Sequence, residues 1–68
     1  MTMFIIEALQ PEGWVEQNQH PVEYWAIQQA QSRCCVEGIT YRIRDTVSGQ
    51  VTAVVETSSC RALMNRGN

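Results

Sequence analysis

The sequence predicts an α+β fold, a single helix packed on one face of a small antiparallel sheet in the order β-α-β-β, within one domain over residues 1–68. Three observations predict it. Residues 21–38 carry helical periodicity with a suitable start and stop. Residues 39–45 and 50–56 alternate apolar and polar side chains on either side of a turn sequence. A chain of 68 residues has room for one core and no second.

The first strand is expected over residues 3–9, closed by the turn signal Gln10-Pro11-Glu12-Gly13. Side chains alternate along a strand, so Phe4, Ile6 and Ala8 share one face and Ile5, Glu7 and Leu9 the other. The second set carries the charge, which makes the first the core face. Trp14 and Val15 add a few extended residues after the turn, and residues 16–20, Glu-Gln-Asn-Gln-His, read as polar loop.

The helix follows. Pro21 suits the first helical position, where a missing N–H costs nothing, and Glu23 favours the positive end of the helix dipole. Gly38 is the left-handed stop. At about 100° per residue, Val22, Ala26, Ile27, Ala30 and Cys34 gather into one stripe facing the sheet. Gln28, Gln29, Gln31 and Ser32 take the far side, and Trp25 falls among them.

The second half is a hairpin. Ile39, Tyr41 and Ile43 face inward, opposed to Thr40, Arg42 and Arg44; Val51, Ala53 and Val55 face inward, opposed to Thr52, Val54 and Glu56. The link Asp45-Thr46-Val47-Ser48-Gly49 reads as a type I turn closed by a left-handed glycine. From Thr57 onward two readings stay open: a short C-terminal helix starting at Ser59, with Leu63 and Met64 returning to the core, or a frayed tail.

Composition narrows the function. No apolar run approaches the roughly 20 residues that span a bilayer, and the N-terminal stretch lacks the basic leader of a secretory signal, so a soluble cytoplasmic protein is expected. The net charge is −2, with no Lys, which argues against general phosphate binding. Cys34 and Cys35 are adjacent, a spacing outside ordinary disulfide geometry, so three reduced cysteines are expected. One His20 beside a Cys-Cys pair does not supply four ligands at zinc spacing, and no metal or cofactor is expected.

Catalysis finds little to build on. A Cys–His nucleophile would need Cys34 or Cys35 near His20, yet Cys34 belongs to the core stripe, where a thiol acts as a small hydrophobe. No glycine-rich phosphate loop is present, and one helix on a small sheet offers little concavity for paired carboxylates. No enzyme is expected. Arg42 and Arg44 flank Tyr41, but alternation sets the ring on the opposite face, whereas base stacking needs it on the open one. A solvated sheet face, with Glu56 as cross-strand counter-charge, accounts for them. A solvated helix face does not account for Trp25. Trp among glutamines on a helix's outer face is enriched at binding surfaces, unless the tail or the Trp14 loop folds over it. The candidate protein-interaction residues are therefore Trp25, Gln28, Ser32 and Arg33 on the helix, with Arg42 and Arg44 on the sheet.

A set of intervals adds a family resemblance. Phe4-Ile5-Ile6 with Gln10, then Ala26, Ala30, Cys35, Gly38, Arg42 and Ile43, then Thr46-Val47-Ser48-Gly49 resemble the small phage-encoded type I-F anti-CRISPR proteins over roughly residues 4–56, with gaps before the helix and in the hairpin. The family pattern is aromatic-Ile-Ile-x3-Gln, Ala-x3-Ala-x4-Cys-x2-Gly-x3-Arg-Ile and Thr-Val-Asn-Gly. The resemblance implies a strand, a helix and an antiparallel hairpin, and a stoichiometric inhibitor. Its implied partner is the backbone of a type I crRNA-guided surveillance complex in the host cytoplasm, where it blocks hybridisation of target DNA. The family's contacts include basic side chains on and near the helix. Here the matching positions hold Ile27, Gln28 and Ser32, with Arg33 positive, so either the implied footprint shifts to Trp25, Gln28 and the Arg42–Arg44 edge or the target subtype differs. The alternative readings are a phage or plasmid accessory module with another protein partner, and a weak nucleic-acid-binding module.

Overall fold

The computed structural model describes residues 2–58, which form β1 (Phe4–Gln10), β2 (Gly13–His20), α1 (Glu23–Glu37), β3 (Tyr41–Asp45) and β4 (Val51–Val55). The strands make one antiparallel sheet in the order β2-β1-β3-β4, and α1 lies across one face of it. The α+β class is as predicted. The element order is β-β-α-β-β, one strand richer than expected.

The extra strand is β2. Residues 16–20, expected as polar loop, continue the hairpin begun at Gln10 and Gly13 and stay paired with β1 as far as His20 opposite Phe4. Gln17 is an added residue, a bulge between the Glu7–Glu16 and Ile6–Asn18 pairs. An edge strand gains its order from backbone hydrogen bonds to its neighbour, which its side-chain pattern does not display. Val15, opposite Ala8 on the helix side, and Trp14, opposite Leu9 on the other, are its large apolar residues.

The core lies between α1 and β1, β3 and β4. Ile6, Ala8, Tyr41, Ile43 and Val55 from the sheet meet Ala26, Ala30 and Cys34 from the helix, with Phe4, Ile27, Ile39 and Ala53 packed at its margin. Ala26 and Ala30 are fully covered, so their small side chains set how closely the helix approaches the sheet. Val22, expected in the same stripe, is exposed instead. The helix begins at Glu23, with Val22 extended as its cap residue, so Pro21 precedes the helix rather than opening it. His20 Nδ1 accepts the Val22 N–H at 3.3 Å, which holds Val22 outside the helical turn. Gly38 ends α1 at φ 71°, donating its N–H to the Cys34 carbonyl at 2.8 Å.

The β3–β4 loop closes through Gly49, at φ 76°, whose N–H bonds the Asp45 carbonyl at 2.8 Å. Asp45 Oδ1 accepts the Val47 N–H at 2.8 Å, an Asx-type turn start. Ile43 pairs with Ala53 but Arg44 pairs with Val51, which leaves Thr52 as a second bulge. That bulge turns Val51 from the expected inward face to the open face, where it is exposed. Thr57 and Ser58 turn helical after β4. The short helix expected from Ser59, with Leu63 and Met64, lies outside the described residues.

Cys34 is a buried free thiol. Cys35 is disulfide-bonded, which corrects the expectation of three reduced cysteines; Cys60 lies outside the described residues. The helical step accounts for the different fates of neighbours. A rotation of about 100° carries Cys34 into the core and Cys35 out to the exposed surface.

Candidate functional site

Two surfaces carry the candidate residues, and the sheet separates them. The first is the outer face of α1. Trp25 is 55% exposed and Tyr24 59%, and their rings meet edge to face at a centroid separation of 5.0 Å. Gln28 and Ser32 follow Trp25 at helical spacing and are exposed. Val36, 84% exposed, extends the same line by one turn. Arg33 is exposed too, but it is tied to Glu37 at 3.3 Å. Glu37 in turn accepts the Tyr41 hydroxyl at 2.9 Å. Burial pushes the Tyr41 phenol above its ordinary range, and the hydrogen bond to Glu37 adds to that. Tyr41 therefore anchors the end of the helix to β3 as a neutral donor.

The second surface is the sheet face turned away from the helix. Cross-strand partners share a face, so Glu7, Glu16 and Arg42 form one row, with Ile5, Gln19 and Arg44 in the next. Glu7 sits at its centre and is only 6% exposed. Arg42 Nε donates to Glu7 Oε1 at 2.7 Å, and Arg44 Nη2 to Glu7 Oε2 at 3.3 Å. The Arg42 guanidinium also lies over the Trp14 ring, 4.3 Å from its centre. Burial alone would raise the Glu7 pKa. The hydrogen bonds from Arg42 and Arg44, together with their charges, outweigh it and hold the carboxyl below its ordinary range. The counter-charge for the two arginines is thus Glu7 of β1, rather than Glu56, which lies exposed just beyond β4.

Trp25, Gln28, Ser32 and Arg33 are therefore brought together on the helix, while Arg42 and Arg44 point from the opposite side of the sheet. Trp14 does not fold over Trp25, because it belongs to the second surface. Tyr24, Val36, Glu7 and Trp14 were not singled out as site residues by sequence. Val36 had a signal, an apolar residue off the core stripe. Trp14 and Glu7 had none, since their neighbours follow from strand register.

Burial pushes the Cys34 thiol up, away from the reactive thiolate. His20 precedes the first turn of α1 and Cys34 lies in its last part. Among the described residues no group of three or more His, Cys, Asp or Glu side chains is arranged to hold a metal ion. No helix among them is long and apolar enough to cross a membrane. No family model matches the chain, and no curated protein or solved structure is similar enough to it to count as a match.

Proposed function

We propose that this chain is a non-enzymatic inhibitor that acts by binding a larger protein assembly through the outer face of α1. The observation that carries the reading is the exposure of Trp25 against Tyr24 on a helix whose other side is fully committed to the sheet. Anchoring aromatics of this kind often contribute about 2 kcal/mol or more to a protein interface. The resemblance to type I-F anti-CRISPR proteins names the partner, the backbone subunits of a type I crRNA-guided surveillance complex in the host cytoplasm. The result of binding is a block on target-DNA hybridisation.

Nucleic acid is the weaker partner for this chain. The aromatic on the open sheet face, Trp14, is covered by Arg42, and both arginines there are already engaged by Glu7. Stacking would have to displace the first contact, and a phosphate would compete with the second.

The test uses a purified type I-F surveillance complex and labelled target DNA. Adding this protein at stoichiometric amounts is expected to abolish hybridisation. Trp25→Ala is expected to need on the order of thirtyfold more protein for the same effect, about 2 kcal/mol of lost binding. Full hybridisation in the presence of the wild-type chain would end the inhibitor reading. Equal inhibition by a folded Trp25→Ala variant would move the interface elsewhere.

A further inference from the structure

We infer that β4 is a self-association edge, at which two copies of this chain pair antiparallel about a two-fold axis at Val54 and join their sheets. Among the described residues, β4 has β3 on one side and no strand on the other. An open edge presents N–H and C=O groups that no other strand among the described residues pairs. The side-chain devices that protect such edges in proteins that stay monomeric are Lys, Pro and inward-pointing charge. β4 has none of these: Val51-Thr52-Ala53-Val54-Val55 is uncharged and rich in β-branched residues.

The opposite edge is built differently. β2 carries its bulge at Gln17, in the middle of the strand, and presents Glu16, Asn18 and Gln19. The β4 bulge lies near the strand's start, at Thr52, and leaves Ala53, Val54 and Val55 in regular register with β3. Regular backbone, absence of charge and exposed valines coincide only on β4.

Self-complementarity selects a second copy as the occupant. Centring the pairing on Val54 sets that residue against its own counterpart on the open face. On the helix side it sets Ala53 against Val55, and it places Thr52 opposite Glu56, so no like charges meet. Centring one residue earlier would oppose Val51, on the open face, to Val55, on the helix side. Of these two registers, the one at Val54 keeps both faces matched. Val54, 55% exposed, would be covered by it. Both helices then lie on the same side of the joined sheet, and the outer face of α1 is left uncovered by the strand pairing itself. The inference does not depend on the inhibitor reading. A contact made by so short a strand is weak and should be in measurable exchange with monomer.

Sedimentation equilibrium of the intact chain tests it, with a non-reducing gel run alongside to distinguish covalent pairs. Weight-average mass is expected to rise about twofold across a series spanning roughly a thousandfold in concentration. Val54→Glu places a carboxylate beside Arg42 in its own sheet, which leaves the fold intact, but opposes two carboxylates at the axis. It is expected to remain monomeric with an unchanged melting temperature. An equimolar mixture of Val54→Glu and Val54→Lys is expected to restore the dimer mass. Amide exchange of the wild type gives a check that needs no variant: β4 amides should slow at high concentration while β2 amides do not. A wild-type mass that stays monomeric throughout would overturn the inference. So would a dimer indifferent to Val54→Glu, or β4 exchange rates independent of concentration.

Discussion

The two faces of the sheet bury neighbouring residues of the same strand by different means. On the helix side, Ile6 and Ala8 lose all exposure to apolar contact with α1. On the other side Ile5 and Glu7 are nearly as covered, at 7% and 6%, although no helix among the described residues lies over them. Glu7 is screened by the Arg42 and Arg44 side chains that bind it. Burial in so small a domain is therefore not synonymous with core. One face removes apolar surface from water, the larger source of stability. The other uses charge-assisted hydrogen bonds, whose net contribution is smaller because the ions were well solvated before folding.

That difference can be broken most sharply on the helix side. Ile43→Ala removes a fully buried side chain opposite Ile6 and is expected to destabilise by roughly 2 to 5 kcal/mol. For so small a domain this is a large part of the total, read as a lost or strongly shifted denaturation midpoint. Ala30→Leu attacks the same layer from the helix and should overpack it, costing roughly 1 to 3 kcal/mol. An unchanged midpoint would show that the helix can lift off the sheet at little expense.

The open face should respond less, and with a distinctive pH dependence. Glu7→Gln keeps the shape but removes the charge, and roughly 1 to 2 kcal/mol is expected at pH 7, given that both arginines are partly solvated. Because the folded-state pKa of Glu7 is depressed, its contribution is fully present above the ordinary value of 4.5 and is lost as pH falls through the lower folded value. Urea midpoints of wild type and variant should therefore converge between pH 7 and acid. Parallel curves would show that Glu7 gains nothing from its charge. The smallest effect belongs to the helix surface. Arg33→Ala, which breaks an exposed i,i+4 pair, should change stability by only about 0.3 to 0.5 kcal/mol, near the resolution of the same urea titration. A loss above 1 kcal/mol would mean that Glu37 needs Arg33 to hold Tyr41.

Much of this was legible in the chain, and the misses share a cause. The stripe Ala26, Ala30, Cys34 and the Gly38 stop are local, set by the helical step and by one backbone conformation, and both are as read. Trp25 on the outer face follows from the same step. β2 carries no strand signal, because Glu16, Gln17, Asn18 and Gln19 have no apolar alternation, and its order comes from the β1 backbone instead. The bulge at Thr52 reversed Val51 for a similar reason: an inserted residue shifts the phase of a strand, and nothing in Val51-Thr52-Ala53 announces it.

What the sequence determined by itself is everything that depends on neighbours a few positions away. The helix with its two chemically distinct sides, the Gly49 loop and the apolar alternation of β1 and β3 belong here, because torsional preference and periodicity act within a turn or a pleat. Tertiary structure decided what depends on strands meeting. It paired Glu7 with Arg42 and Arg44, 35 and 37 residues away, set Trp14 beneath Arg42, and put the sheet between those arginines and Trp25. The physical reason is register. Which side chains stand opposite one another across a sheet is fixed by the backbone ladder as a whole, and a single bulge is enough to change it.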